Sequence, residues 1–237
     1  MSVSGSGLLD KEITDVISFH ENEFYIGQDL NNIYIYTKFE AEKLIFERIL
    51  SGKLSGCILR IGNISNRYSD GKFQINVTEN AFANRMKSIL NLGLIQEKFL
   101  EHAIEFTPVD VCSQAIMKII ASNPMFSVFH LFNSNLVGID TLLDYFNDLN
   151  IKLSCVDDKT FASTVNRFLS DDNLRNDITG IITDLDHNRL LDLMLSILPN
   201  SNFTEFYLKQ LNFEWPKIDI DYIKKYINYF NSINFFN

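Results

Sequence analysis

Cys57-Ile58-Leu59-Arg60-Ile61, closed by Gly62-Asn63, is the stretch on which the fold class turns. A short apolar run with a single charge is too brief for a helix and reads as a buried strand. It follows a helical pattern. Over Tyr34–Leu50, Ile35, Phe39, Ala41, Leu44, Ile45 and Ile49 recur at helical spacing, and Gly52 and Gly56 break the pattern. The alternation continues downstream. Glu79–Leu92 predicts a helix stopped by Gly93, with Phe82, Met86, Ile89 and Leu90 on one face. Ile104–Thr107 is extended, because Pro108 disfavours helix in the residue before it. Asp110–Ala121 predicts a helix, Val128–Phe132 a strand, Thr141–Leu149 a helix capped by Asp140, and Lys152–Val156 a last strand. From Asp157 the pattern predicts helices only. The final one, Asp219–Phe230, carries Tyr222, Ile223, Tyr226, Ile227 and Phe230 as a core stripe. Strand–helix alternation predicts an α/β fold with parallel strands, followed by a mainly helical region.

Composition narrows the function. The 237 residues carry 21 Lys and Arg against 30 Asp and Glu, a formal charge of −9, which repels nucleic-acid phosphate. A hydrophobic fraction of 46% excludes disorder throughout. There is no apolar run long enough to span a bilayer, and Met1–Gly7 has neither the basic nor the apolar part of a signal peptide. A cytoplasmic location is therefore expected. Cys57, Cys112 and Cys155 are far apart, and no two of His20, His102, His130 and His187 are four residues apart. That pattern fits reduced thiols and predicts no metal site. Arg60 predicts an ion pair with a carboxylate at the sheet end, and His130 a core histidine.

One local constellation carries chemistry. In Tyr34-Ile35-Tyr36-Thr37-Lys38, Tyr34 and Lys38 are four apart and share a helix face. An ammonium beside a phenol favours the phenolate, so the tyrosine can give and regain a proton. The same ammonium can donate to a ribose hydroxyl pair. Tyr68-Ser69-Asp70-Gly71-Lys72 has the same spacing but spans an Asp-Gly turn, so it cannot hold helical geometry.

The surroundings of that pair resemble the terminal thioester reductase domains of nonribosomal peptide synthetases, which are extended short-chain dehydrogenases. The resemblance runs through Tyr34–Leu44, Leu59–Asn63, Tyr68–Asn76, Asn80–Arg85, Phe106–Asp110, Phe129–Asn133 and Leu211–Pro216, in order. It implies a Rossmann-like part over residues 1–125 and a mainly helical substrate- and carrier-facing region over 126–237. It implies NADPH as cofactor and, as partner, a carrier domain whose phosphopantetheine arm bears an acyl or peptidyl thioester, released as aldehyde or alcohol. Tyr34 would protonate the developing alkoxide and Lys38 would hold the nicotinamide ribose. Gly62, Asn63 and Ile64 would lie near the nicotinamide, at the carboxyl end of a parallel strand. Pro108, Val109 and Asp110 would shape the boundary with the substrate region.

The chain also departs from that family. A dinucleotide fold needs a glycine-rich turn after its first strand. Gly5-Ser6-Gly7 follows no strand, and the family's serine–threonine pair maps before residue 1; Ser2 and Ser4 do not replace it. The expectation is a partial Rossmann sheet whose first half is supplied in cis or in trans. Weak NADPH binding by the isolated chain and an open apolar edge on the strand at Cys57–Ile61 would follow. Two other functions fit parts of the pattern: a non-catalytic module recognising a carrier or acyl chain, and a nucleotide-sugar epimerase or dehydratase.

Overall fold

The structure is a computed structural model and describes residues 17–125, 128–192 and 197–236. The expectations on Ser2, Ser4 and Gly5–Gly7 lie outside the described residues. In chain order the strands are β1 Ile17–Phe19, β2 Ile58–Ile61, β3 Ile64–Ser65, β4 Leu94–Gln96, β5 Ala103–Ile104, β6 Thr107–Pro108, β7 Val128–Leu131, β8 Val137–Gly138, β9 Ser154–Val156 and β10 Ile197–Pro199. The α-helices are α1 Ile33–Leu50, α2 Ala81–Leu92, α3 Val109–Ala121, α4 Ile139–Asp148, α5 Asp158–Ser170, α6 Asp172–Arg175, α7 Asn202–Gln210 and α8 Ile220–Ser232. Their contacts divide the chain into two compact units, each assembled from three separate stretches.

The first unit comprises residues 1–65, 105–135 and 194–216. Its strand pairs are parallel: β2 with β7, β1 with β10, and β3 with β6. All four residues of β7 are buried, which is why it reads in sequence as an unbroken apolar run. Phe129 and Leu131 of β7 pack with Ala115 and Ile119 of α3, Leu208 of α7, and Phe213 and Trp215. Among the described residues β2 pairs with β7 alone. Helix α1 begins where the Asn32 carboxamide accepts from the Tyr34 and Ile35 amides at 3.0 and 3.3 Å. Ile35 and Phe39 of α1 pack against Phe24 and Leu30.

The second unit comprises residues 66–104, 136–193 and 217–237. Here β4 pairs with β9 in parallel and β5 with β8 antiparallel. Ile89 and Leu92 of α2, Phe161 and Val165 of α5, and Ile178 and Ile181 form its core. The tight 3₁₀ stretch Asn176–Asp184 lies against α2. A Cβ at Gly180 would sit 2.2 Å from the Asn84 carbonyl oxygen, so only glycine permits that approach. Tyr222, Ile223, Tyr226, Ile227 and Phe230 of α8 are all buried, as the stripe predicts. The Asp219 carboxylate accepts from the Tyr222 amide at 2.9 Å and caps α8. Asp219→Ala is expected to cost about 1 kcal/mol, read from the midpoint of urea unfolding at constant slope.

Two expectations need correction, and one strand goes unassigned in the sequence reading. The region after Asp157 is not purely helical: Ile197–Pro199 forms β10 against β1. Leu94–Gln96, just after the helix stop at Gly93, is also a strand. Asp140 does not precede its helix. The chain leaves β8 directly into α4, Gly138 is the capping position, and Asp140 lies in the first turn, where negative charge suits the helix dipole. Asp110 is likewise inside the first turn of α3, after Pro108. No helix among the described residues is long and apolar enough to cross a membrane, and no group of three or more potential metal ligands occurs among them.

Candidate functional site

Residues Tyr34–Lys38 are helical, as their spacing requires. The Lys38 Nζ sits 5.7 Å from the centroid of the Tyr34 ring. Tyr34 is 54% exposed, so its phenol is open to a ligand. Lys38 makes no ion pair among the described residues, and its ammonium carries three N–H donors. Tyr68 and Lys72, the pair with matching spacing, lie in a turn. Gly71 there has φ of +75°, and the Tyr68 ring stacks on Tyr222 instead.

Gly62, Asn63 and Ile64 follow β2 at its carboxyl end, where parallel strands place ligands. The structure shows what holds them. Glu105 Oε1 accepts from the Asn63 amide at 2.7 Å and from the Thr107 hydroxyl at 2.6 Å. Thr107 Oγ1 in turn accepts from the Asn133 amide at 2.8 Å. One carboxyl oxygen thus ties the exit of β2 to β6 and, through Thr107, to the exit of β7. Gly62 makes room for this clamp: a Cβ there would lie 2.1 Å from Glu105 Oε1 and 2.5 Å from the Phe132 Cβ. Its missing side chain serves Glu105 and Phe132, while the Asn63 side chain faces outward.

Burial pushes the Glu105 carboxyl up, and the bonds from Thr107 and Asn63 only partly oppose this. A carboxyl raised on folding contributes stability below its unfolded value that is lost as pH rises through the folded value. Glu105→Gln keeps an oxygen that can accept both bonds and removes the charge. Its melting temperature is expected to exceed that of the wild type at pH 8, with the gap closing below the ordinary carboxylate range. A gap independent of pH would contradict this. Burial, together with the nearby Glu105 charge, pushes the Cys112 thiol up to about 11, which makes it a poor nucleophile.

Arg60, 2% exposed, pairs with Glu42 of α1, not with a carboxylate at the sheet end. His130 is buried as expected. Sequence reading misses Glu42 and Glu105 as site-building residues. The available signal for Glu105 is a charge set between Ile104 and Phe106 in an extended segment, where alternation would turn it to one side of both. A cavity of about 550 Å³ lies within the second unit, beside Lys87, Asp177, Tyr229 and Phe235, and none of the residues predicted for the site lines it.

Residues 6–116 match an NAD-binding family model described as male sterility protein. No curated protein matches the chain. Among solved structures, it is similar to a thiolation-reductase di-domain from an archaeal non-ribosomal peptide synthetase. Identity is 28% and the TM-score 0.80, over 99% of this chain and 48% of that one. The reductase domain of the aureusimine biosynthetic cluster is 22% identical with a TM-score of 0.75, over 96% of this chain and 58% of that one. The terminal R domain of the myxalamid PKS-NRPS pathway is 20% identical with a TM-score of 0.76, over 99% and 57%. The chain therefore spans about half the length of these structures. The α/β fold and the resemblance to terminal reductase domains of peptide synthetases both stand.

Proposed function

We propose that this chain carries the tyrosine–lysine pair and the substrate-side part of an NADPH-dependent thioester reductase that releases an acyl or peptidyl group from a carrier domain. The observation that carries the reading is the Tyr34–Lys38 pair, helical and accessible, with the ammonium 5.7 Å from the ring. Residues 51–57 reverse the chain between α1 and β2, and the Glu42–Arg60 bond sets the two side by side. The start of α1 and the Gly62–Asn63 link from β2 into β3 then lie toward one end of this unit, which supports a shared pocket; Ile64 is the first residue of β3 rather than part of a loop. A carrier as partner is supported by the archaeal relative, itself a thiolation-reductase di-domain.

The described residues fit the nicotinamide end of such a cofactor. Lys38 offers N–H donors for a ribose diol, Tyr34 an exposed phenol, and Asn63 an exposed position at a strand tip. When bound, the nicotinamide supplies the hydride. Tyr34 donates its proton to the carbonyl oxygen as that oxygen gains negative charge. The Lys38 ammonium, 5.7 Å from the ring centroid, places positive charge beside the reacting group. Collapse of the reduced carbon breaks the C–S bond. The hydroxyl proton passes to the leaving sulfur as the C–O double bond re-forms, aldehyde and the carrier thiol leave, and solvent returns a proton to Tyr34. Asn63 and Ile64, fixed through Glu105, form one wall of the pocket.

The test is aldehyde release from an acyl-loaded carrier protein by the full-length protein that contains this chain, with and without NADPH. NADPH-dependent release supports the reading. Retention of the acyl group with NADPH unconsumed overturns it.

A further inference from the structure

Helix α1 carries the proposed reactive pair, yet few contacts fix it. Only Ile35, Phe39 and Glu42 of its residues are buried. Ile35 and Phe39 pack on Phe24 and Leu30. Apolar contact of that kind, with the Phe24 ring centroid 4.4 Å from that of Phe39 and 5.2 Å from that of Phe46, resists separation but constrains rotation and sliding less sharply than a two-nitrogen ion pair.

Glu42 is different. Its carboxylate is withdrawn from water and gripped by Arg60 of β2. Arg60 Nε lies 3.3 and 3.2 Å from the two Glu42 oxygens, and Nη2 lies 3.0 Å from Oε2. A planar guanidinium meeting a carboxylate through two nitrogens accepts little variation in geometry.

Arg60 is itself immobilised. Its Nη2 also donates to the Glu23 carbonyl at 2.9 Å, and its guanidinium lies 4.6 Å from the centroid of the Phe19 ring. Its Nη1 is 3.0 Å from His130 Nε2. Arginine can only donate, so that nitrogen carries no proton. His130 Nδ1 then holds the ring proton and donates to the Asn200 carbonyl at 2.7 Å. Burial and the Arg60 charge hold the His130 pKa down at about 4, so the ring stays neutral in this role.

Tyr34, Lys38 and Glu42 are spaced four apart, on successive turns of one helix. Tyr34 lies about 12 Å along the axis from Glu42, at 1.5 Å per residue. Any rotation or slide of α1 at Glu42 is passed along that rigid length. A buried ion pair adds little net stability over an apolar pair, and its best-attested use is to specify register. Here the register is that of α1 on β2.

We propose that Arg60, acting through Glu42, is a positioning residue for the Tyr34–Lys38 pair, fixing the rotation and axial placement of α1 against β2. The inference rests on the proposed role of that pair, but its geometric content can be measured separately. The experiment uses the whole chain with carbon-13-labelled tyrosine. The Tyr34 signal is assigned by its loss in Tyr34→Phe, and its shift and alkaline titration are followed by NMR. Arg60→Met is expected to move both, and Arg60→Lys, which keeps the charge but not the fork, to restore them in part. Val165→Ala, in the core of the second unit, should lower the melting temperature and leave the Tyr34 signal in place. If Arg60→Met does not fold, Glu42→Gln carries the same comparison with shape retained. In the full-length reductase, Arg60→Met should lower kcat by about a hundredfold with the thioester KM little changed. An unaltered Tyr34 signal and titration in a folded Arg60 or Glu42 variant would overturn the proposal. A moved signal in a protein whose wild type releases no aldehyde would instead overturn the reductase reading alone.

Discussion

Tyr34→Phe is expected to reduce kcat for thioester reduction by about 10²- to 10⁴-fold, the usual contribution of a positioned general acid. Only a hydroxyl is lost. The ring remains over the Lys38 ammonium, and the Asn32 cap on the Tyr34 and Ile35 amides is untouched. Because Tyr34 is 54% exposed, its hydroxyl fills no core space, and the melting temperature should stay close to that of the wild type. Substrate KM should change little, since the proton is needed only as charge develops on the carbonyl oxygen. Lys38→Met should differ by weakening NADPH binding as well as slowing reduction, because under the proposed function the same ammonium serves the phenol and the ribose. Aldehyde formation from an acyl-loaded carrier reads both variants. A Tyr34→Phe protein within a few-fold of wild type would remove the tyrosine from the chemistry.

Phe129→Ala is expected to cost about 3–5 kcal/mol of stability. Phe129 is fully buried in β7, opposite Leu59 of β2. Its ring stacks on Phe203 at 5.6 Å and meets the edge of Tyr207 at 5.0 Å. Truncation leaves a cavity walled on two sides by aromatic rings that cannot all close in. Phe203→Ala, at a residue already 42% exposed, provides the contrast and should cost less. Urea unfolding with an unchanged slope measures both. A loss below about 1 kcal/mol for Phe129→Ala would mean that this cluster collapses freely and does not secure the strand.

What could be read from sequence was local. The long periodic segments α1, α2, α3 and α8 begin and end within two residues of their predicted bounds. A helix pattern repeats along the chain and carries its own stop signals, such as Gly93 after α2. Short strands held by distant partners were not legible. Ile17-Ser18-Phe19 and Ile197-Leu198-Pro199 are too brief to show a period, and each is defined by the other across most of the chain. The same division runs through the site. Tyr34 and Lys38 could be paired from their four-residue spacing. Arg60 in an apolar run announces that it needs an acid, but nothing local selects Glu42 from 30 acidic residues. Glu105 is hidden for the same reason, because its partners Asn63 and Thr107 meet it only through the folded strand ends.

The interleaving of the two units bears on how the protein matures. The chain passes from one unit to the other after residues 65, 104, 135, 193 and 216. The first therefore lacks a component until residues 194–216 have left the ribosome, and the second until 217–237 have followed. Domains usually fold as units, amino-terminal ones first during synthesis. Here the nascent polypeptide must wait, exposing strands such as β2 whose partner residues lie far downstream. Newly made protein should therefore depend on chaperones, and the second unit should gain protease resistance only after residues 217–237 have emerged.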